Sequence, residues 1–247
     1  MAHAPRGRLY AGTSGFAYAD WVPVFYPSGL RSAGLLAHYA SRLPAVELST
    51  TFYARPAPAR VEAWAAVAPA AFRFVVKAQR GASWRALHAD AASAIAWLME
   101  PLGGFGERLG AVLYRIPETD QRDDAALARL LDAWPRTVPL VVEAQHPSWH
   151  VDETFAALRA AGAILCTTDL DGLEVPPDIR RTGPLLYVRL RRTAYTETDL
   201  DQWAQRLVPF LDDGMDAYVL FRHDDDGSNA LLAEGFAARV ERVREGS

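Results

Sequence analysis

Leu140-Val141-Val142-Glu143-Ala144-Gln145-His146-Pro147-Ser148-Trp149 is the stretch whose reading decides the fold. Val141 and Val142 have the β-branched, apolar character of a buried strand. Glu143 follows in the same run, and a carboxylate there costs free energy unless it is paired or functional. Pro147 cannot donate to a sheet ladder and stops the strand, so His146 and Trp149 fall at its carboxyl end and in the loop beyond. The fold then turns on whether other strands repeat this arrangement of an inward charge followed by a polar, aromatic loop.

Strand-like runs alternate with amphipathic, alanine-rich helical runs along the whole chain, the pattern of parallel sheets built from βαβ units. Eight strands are expected, at Leu9 to Gly12, Ala45 to Ser49, Phe72 to Ala78, Ala111 to Ile116, Leu140 to Ala144, Ala163 to Thr168, Leu185 to Leu190 and Ala217 to Phe221. Helices are expected at Gly34 to Arg42, Ala59 to Ala68, His88 to Met99, Ala125 to Ala133, Glu153 to Ala161, Thr198 to Leu211 and Ala230 to Arg244. Eight alternating units in 247 residues match an α/β TIM barrel, whose active sites lie at the carboxyl ends of the strands. A doubly wound open sheet is the alternative; it calls for a glycine-rich phosphate turn, and Gly12-Thr13-Ser14-Gly15 is too short a match.

Successive strand residues point to opposite faces, so each strand divides into a set under the helices and a set inside the barrel. The inward set comprises Glu47, Ser49 and Thr51 from strand two, Lys77 and Gln79 from strand three, and Arg115 from strand four. Strand five adds Glu143 and Gln145, strand six Asp169, strand seven Tyr187, Arg189 and Arg191, and strand eight Arg222. Seven strands therefore aim a charged group inward near the end where loops carry function.

The composition excludes several classes. Half the residues are hydrophobic, 23% are charged and the formal net charge is -4, so gross attraction to nucleic acid or anionic membranes is absent, although a local basic site survives that average. The single cysteine, Cys166, sits in an apolar run, reads as core, and excludes both a disulfide framework and multi-thiolate zinc sites. Met1 to Arg8 lacks the apolar core of a signal peptide and no later window reads as a membrane span, so a single cytoplasmic domain over residues 1–247 is expected.

Several motifs resemble the YecE-like family, a domain of unknown function. They are Gly12-Thr13-Ser14-Gly15-Phe16 with Trp21, Val46-Glu47-Leu48-Ser49-Thr50-Thr51-Phe52-Tyr53, Phe72-Arg73-Phe74-Val75-Val76-Lys77-Ala78, Val142 to Trp149, Tyr187-Val188-Arg189-Leu190, and Asn229-Ala230. The resemblance spans nearly the whole chain and implies a TIM barrel, with little implied about chemistry. Glu47, Lys77, Glu143, Asp169 and Arg189 fit the family pattern. Ser49, Arg115, Gln145, Arg191-Arg192 and Arg222-His223 depart from it, and a histidine after strand three has no counterpart near Ser83-Trp84, which marks a divergent member.

These residues point to acid–base chemistry in a low-dielectric barrel mouth, where opposite charges keep carboxylates ionised and a crowded carboxylate pair raises one pKa. Glu143 and Glu47 are the expected acid–base pair, Lys77 and Arg189 the anion or transition-state clamps, and Asp169 the residue orienting one of those two cations. Arg115, Arg189, Arg191, Arg222 and Lys77 outnumber the three carboxylates and point to a small phosphorylated or nucleotide-like anion. Thr13, Ser14, Gln145 and His146 complete the expected binding set, with Trp21, Tyr53 and Trp149, and also Trp84, available to stack on a planar ring or sugar face. The opposing expectation is structural: the charges form an ion-pair layer, Arg191 and Arg222 pair with Asp224 to Asp226, and the tryptophans plug the barrel top. A Schiff base on Lys77 and a barrel that binds single-stranded nucleic acid are the alternative activities. No cofactor is expected; a divalent metal on Glu143, His146, Asp169 and Glu47 is the weaker reading, because arginine and lysine compete for the same carboxylates. No Gly-x-Ser-x-Gly elbow or Cys-His pairing suggests hydrolase chemistry, and the oligomeric state is not legible.

Overall fold

Leu140–Ala144 is a strand, β5, and all five of its residues are buried. The computed structural model describes residues 6–245, so the first five residues of the Met1 to Arg8 stretch lie outside the described residues. The other strands are β1 (Leu9–Ser14), β2 (Ala45–Leu48), β3 (Arg73–Lys77), β4 (Leu109–Ile116), β6 (Ile164–Asp169), β7 (Leu185–Leu190) and β8 (Asp216–Phe221). They close in chain order into a parallel barrel, as the alternating pattern requires.

Eight α-helices accompany them: α1 (Leu35–Arg42), α2 (Pro58–Val67), α3 (Arg80–His88), α4 (Ala91–Met99), α5 (Asp124–Ala133), α6 (Asp152–Ala161), α7 (Glu197–Asp212) and α8 (Ser228–Glu245). Two correct the sequence reading. The helix expected from His88 starts instead at Ala91, because the Asp90 side chain caps it by accepting from Ser93 N at 3.1 Å. Helix α3 was not expected at all. Its stretch is interrupted by Gly81 and Ser83, and it starts because the Gln79 side chain accepts from Ala82 N at 2.8 Å. No helix of the described residues is long and apolar enough to cross a membrane.

Packing divides the described residues into two compact units. The first holds the chain up to Val46, Thr167–Arg180, and Leu185 onward. Here β8 pairs with both β7 and β1, and the registers Tyr187↔Tyr218 and Tyr10↔Tyr218 line up three tyrosines. Their rings stack, with centroids 4.7 Å apart for Tyr10 and Tyr218 and 6.2 Å apart for Tyr187 and Tyr218. Two residues along, the same face carries Gly12, Leu220 and Arg189. Phe221, of opposite parity, packs against Phe236 of α8. Strand β1 runs close to the chain before β2, for a side-chain carbon on Gly12 would meet the Ala45 carbonyl oxygen at 1.9 Å. Tyr39 bridges the same place, accepting from Thr13 N at 2.8 Å and donating to Ala45 O at 3.0 Å. Burial pushes the Tyr39 phenol well above its ordinary pKa, so it stays a donor.

The second unit, Glu47–Cys166 with Arg181–Pro184, contains β3 beside β4 and β4 beside β5. Phe74 faces outward and stacks on Phe105 at 4.6 Å, and Tyr114 donates to Ser83 O of α3 at 2.5 Å. Parity then turns Lys77, Arg115 and Glu143 inward, as read from the sequence.

Gly12→Ala is expected to destabilise the protein by about 1–3 kcal/mol, because backbone and not a flexible side chain blocks the added methyl group. Urea unfolding measures it, and a stability unchanged within error would contradict this close approach.

Candidate functional site

The second unit carries its ionisable groups at the strand ends. Glu47 is fully buried, Glu143 is 4% exposed and Lys77 is 9% exposed. After Glu47 the chain turns tightly through Ser49–Phe52, and the Ser49 hydroxyl donates to Glu47 Oε1 at 3.2 Å. The Thr51 hydroxyl reaches back to the Lys77 carbonyl at 2.7 Å, tying that turn to the end of β3. The turn thereby presents Phe52 to two cations. Lys77 Nζ lies 4.5 Å and Arg115 Cζ 5.9 Å from the ring centre, within the range of cation–π attraction.

Arg115 stands in register with Glu143, and its Nε donates to Gln145 Oε1 at 2.8 Å. Gln145 thus aims the guanidinium. His146 begins the short turn Pro147–Trp149: its Nδ1 accepts from Ser148 N at 3.1 Å, so Nε2 carries the proton of the neutral ring. Trp149 is buried and donates from Nε1 to Asp120 O at 2.8 Å.

The first unit builds a different cluster at the ends of β1, β6, β7 and β8. Asp169 is fully buried and accepts from Arg192 Nε at 3.0 Å, Tyr195 Oη at 3.2 Å and Trp203 Nε1 at 3.1 Å. Three donors satisfy a buried carboxylate and hold Arg192 in place. The Ser14 hydroxyl oxygen accepts from His223 N at 3.1 Å and from Arg191 Nη1 at 3.4 Å. The His223 ring stacks on Tyr18 with centroids 5.0 Å apart. Burial, then Arg191 and Arg222, hold its pKa below the ordinary imidazole value, against the weaker pull of Asp224 and Asp225.

The comparisons with known proteins agree with this architecture. The profile of the family described as "Protein of unknown function DUF72" matches residues 10–246. The chain belongs to the DUF72 family. The YecE-like family is the same family under another name, so the resemblance read from the motifs holds. The chain is similar to the UPF0759 protein YunF of Bacillus subtilis (strain 168), 23% identical over 90% of this chain and 91% of that protein. Among solved structures, a DUF72 family protein of Thermotoga maritima MSB8 superposes with a TM-score of 0.81 at 25% identity, covering 95% of this chain and 99% of that one. A DUF72 family protein of Enterococcus faecalis V583 does so with a TM-score of 0.75 at 22% identity, covering 99% of each chain, a likeness of fold.

Within this DUF72 chain, several expected site residues prove to be committed elsewhere. Trp21 is fully buried, donates to Asp224 O at 3.0 Å and packs on Tyr18, Phe25 and Tyr26; like Trp149 it cannot stack on a ligand. Thr13 is also buried, its hydroxyl held between Gly15 O and the Tyr39 hydroxyl. Asp169 orients Arg192, not the expected Lys77 or Arg189. Asp224 and Asp226 do not serve as the expected partners of Arg222, since their carboxylates accept from backbone N–H groups of Gly227, Ser228 and Asn229. Arg222 is exposed and makes no ion pair among the described residues. Arg189 is buried, Tyr53 is 76% exposed, and no group of three or more metal-ligating side chains is present among the described residues.

Phe52, Arg192 and His223 are the residues that the expected set lacked. Arg192 and His223 directly follow Arg191 and Arg222 of the expected set, and Phe52 lies within the motif Val46 to Tyr53, where the sequence assigns it no role.

Asp169→Ala is expected to cost on the order of 3 kcal/mol, because it removes the acceptor shared by Arg192 Nε, Tyr195 and Trp203 and leaves Arg192 only its pairing with Asp199 among the described residues; urea unfolding measures it, and a loss below about 1 kcal/mol would contradict this role. His223 gives a pH signature. Its folded form binds a proton more weakly than the unfolded one, whose value is 6.5, so stability is full above that pH and falls as the pH drops below it. His223→Gln is expected to flatten that acid-side slope in thermal melts recorded between about pH 7 and 5; an unchanged slope would remove the assignment.

Proposed function

We propose that the protein is a cytoplasmic enzyme carrying out acid–base chemistry on a small phosphorylated or nucleotide-like anion at the carboxyl ends of the barrel strands. The observation that carries the reading is the burial of three ionisable groups, Glu47, Lys77 and Glu143, at the ends of β2, β3 and β5 within one unit. Burying charge is costly, and these are the strand ends at which TIM barrels do chemistry. Glu143 and Glu47 take the acid and base roles. Lys77 and Arg115 receive the anion, Arg115 preset by Gln145 and Lys77 by the Phe52 ring. Nζ of Lys77 standing over that ring is a cation–π arrangement that suits an anion clamp. In the first unit, Arg189, Arg191 and Arg222 are further cations for anionic groups.

A second reading, binding of single-stranded nucleic acid, draws on the exposed rings of Tyr53 and Trp84. It requires affinity for an oligonucleotide that falls steeply with salt.

A thermal-shift screen of the wild type and Glu143→Gln against inorganic phosphate, nucleoside monophosphates, sugar phosphates and small carboxylates tests the enzyme reading. A ligand at a hundredfold its Kd adds about 2.7 kcal/mol, a rise of several degrees, and the response is expected to change in the variant. If nothing shifts the wild type while Glu143→Gln alone lowers the melting temperature sharply, the charges are structural and the reading fails.

A further inference from the structure

We infer that the cleft beside Arg115 is a binding site for an aryl anion, a flat aromatic ring joined to a phosphate or carboxylate. This goes beyond the proposed reading by naming the group that carries the anion, and it shares with that reading Arg115 and Phe52.

The cleft has a volume of about 350 Å³ and lies wholly within the second unit. One wall is a face of α3. Arg80, Ser83, Trp84 and Leu87 occur at the i, i+3, i+4, i+7 spacing that puts side chains on one stripe of a helix. Phe52, Tyr114, Arg115, Pro117 and Asp120 complete the lining. Aromatic and aliphatic surface therefore lines the space, and the volume falls in the small-molecule range.

Trp84 is 58% exposed, an unusual placement for the largest apolar side chain on a helix that buries Ala82, Ala86 and Leu87. Its ring lies over that of His88, with centroids 5.3 Å apart and a 36° tilt, which fixes it without covering it. An exposed, oriented indole in the same cleft as the Phe52 ring is a stacking platform.

The charges select the ligand's sign. Arg80 is exposed and has no ion-pair partner among the described residues. Arg115 commits Nε to Gln145, and its two Nη nitrogens have no hydrogen-bond partner among the described residues. The cleft's one acid, Asp120, is already taken: Oδ2 pairs with His88 Nε2 at 2.8 Å, and the Thr119 hydroxyl donates to Oδ1 at 3.3 Å. Two guanidiniums therefore share the cleft with an acid already held by His88 and Thr119 and with the rings of Phe52, Trp84 and Tyr114. A cationic ligand would meet repulsion here, and an uncharged ring would leave both guanidiniums unsatisfied.

Calorimetric titration of the full chain with 1-naphthyl phosphate and with inorganic phosphate decides the matter. Naphthyl phosphate is expected to bind at least about tenfold more tightly than phosphate, and Trp84→Ala to remove most of that advantage. Arg80→Ala is expected to weaken naphthyl phosphate about tenfold as well. Both side chains lie on the surface, so neither variant threatens folding. If both anions bind equally, or if Trp84→Ala leaves the preference intact, the assignment is overturned, while a Glu143-dependent response to phosphate would keep the enzyme reading. If naphthyl phosphate binds as expected but nothing responds to Glu143→Gln, the cleft stands and the enzyme reading falls. A long oligonucleotide competing at stoichiometric concentration and low salt would overturn the small-ligand assignment in favour of a nucleic-acid surface.

Discussion

Closure of a parallel sheet on itself is the constraint on which the structure depends. A closed sheet has no edge, and every second side chain must find a place inside it. In the first unit the inward positions near the amino ends are filled by the stacked rings of Tyr10, Tyr218 and Tyr187. The next inward positions are Gly12, Leu220 and Arg189, and beyond Gly12 comes Ser14, which accepts from Arg191. In the second unit Val75, Leu113 and Val141 precede Lys77, Arg115 and Glu143 on the inward face, with Lys77 ending β3 and Arg115 in register with Glu143. Inward faces that run from aromatic or aliphatic residues to ionisable ones have a polarity along the strands, and that polarity gathers these ionisable groups at the carboxyl ends.

Charge is also sorted by task. In the first unit many acids are spent on holding the chain: Asp169 on Arg192, Tyr195 and Trp203, Asp171 on Thr193, and Asp224 and Asp226 on backbone amides at the start of α8. Hydrogen bonds to Thr193 and to Ser228 keep Asp171 and Asp226 below the ordinary carboxylate range, so both stay ionised. Asp120 is similarly held by His88 in the second unit. Arg222, Arg80 and the outer nitrogens of Arg115 are left facing solvent or the cleft, and a chain of net charge -4 thereby presents local cationic surface.

Family membership adds a shared architecture and names no chemistry. The structural likeness to the Thermotoga maritima protein runs over nearly the whole of both chains, although only a quarter of the aligned residues are identical. A barrel keeps its fold at such distances because inward and outward positions demand size and polarity more than identity. The polar residues at the strand ends are under a different demand, set by what they touch.

The sequence by itself determined the eight strands, their parallel arrangement and the inward direction of Glu47, Lys77, Arg115, Glu143 and Arg189, because alternation is a local, period-two property that burial enforces residue by residue. It could not determine partners. Asp169 meets Trp203, 34 positions further along the chain, and Arg192, 23 positions further along, and both contacts depend on how helices and strands pack. The same holds for the tryptophans: Trp21 and Trp149 are buried by their hydrogen bonds to Asp224 O and Asp120 O, while Trp84 stands exposed because α3 turns its alanines to the core. Only the tertiary structure decided which aromatic rings and which cations face the same space, since that is a matter of distance between segments and not of any pattern within one.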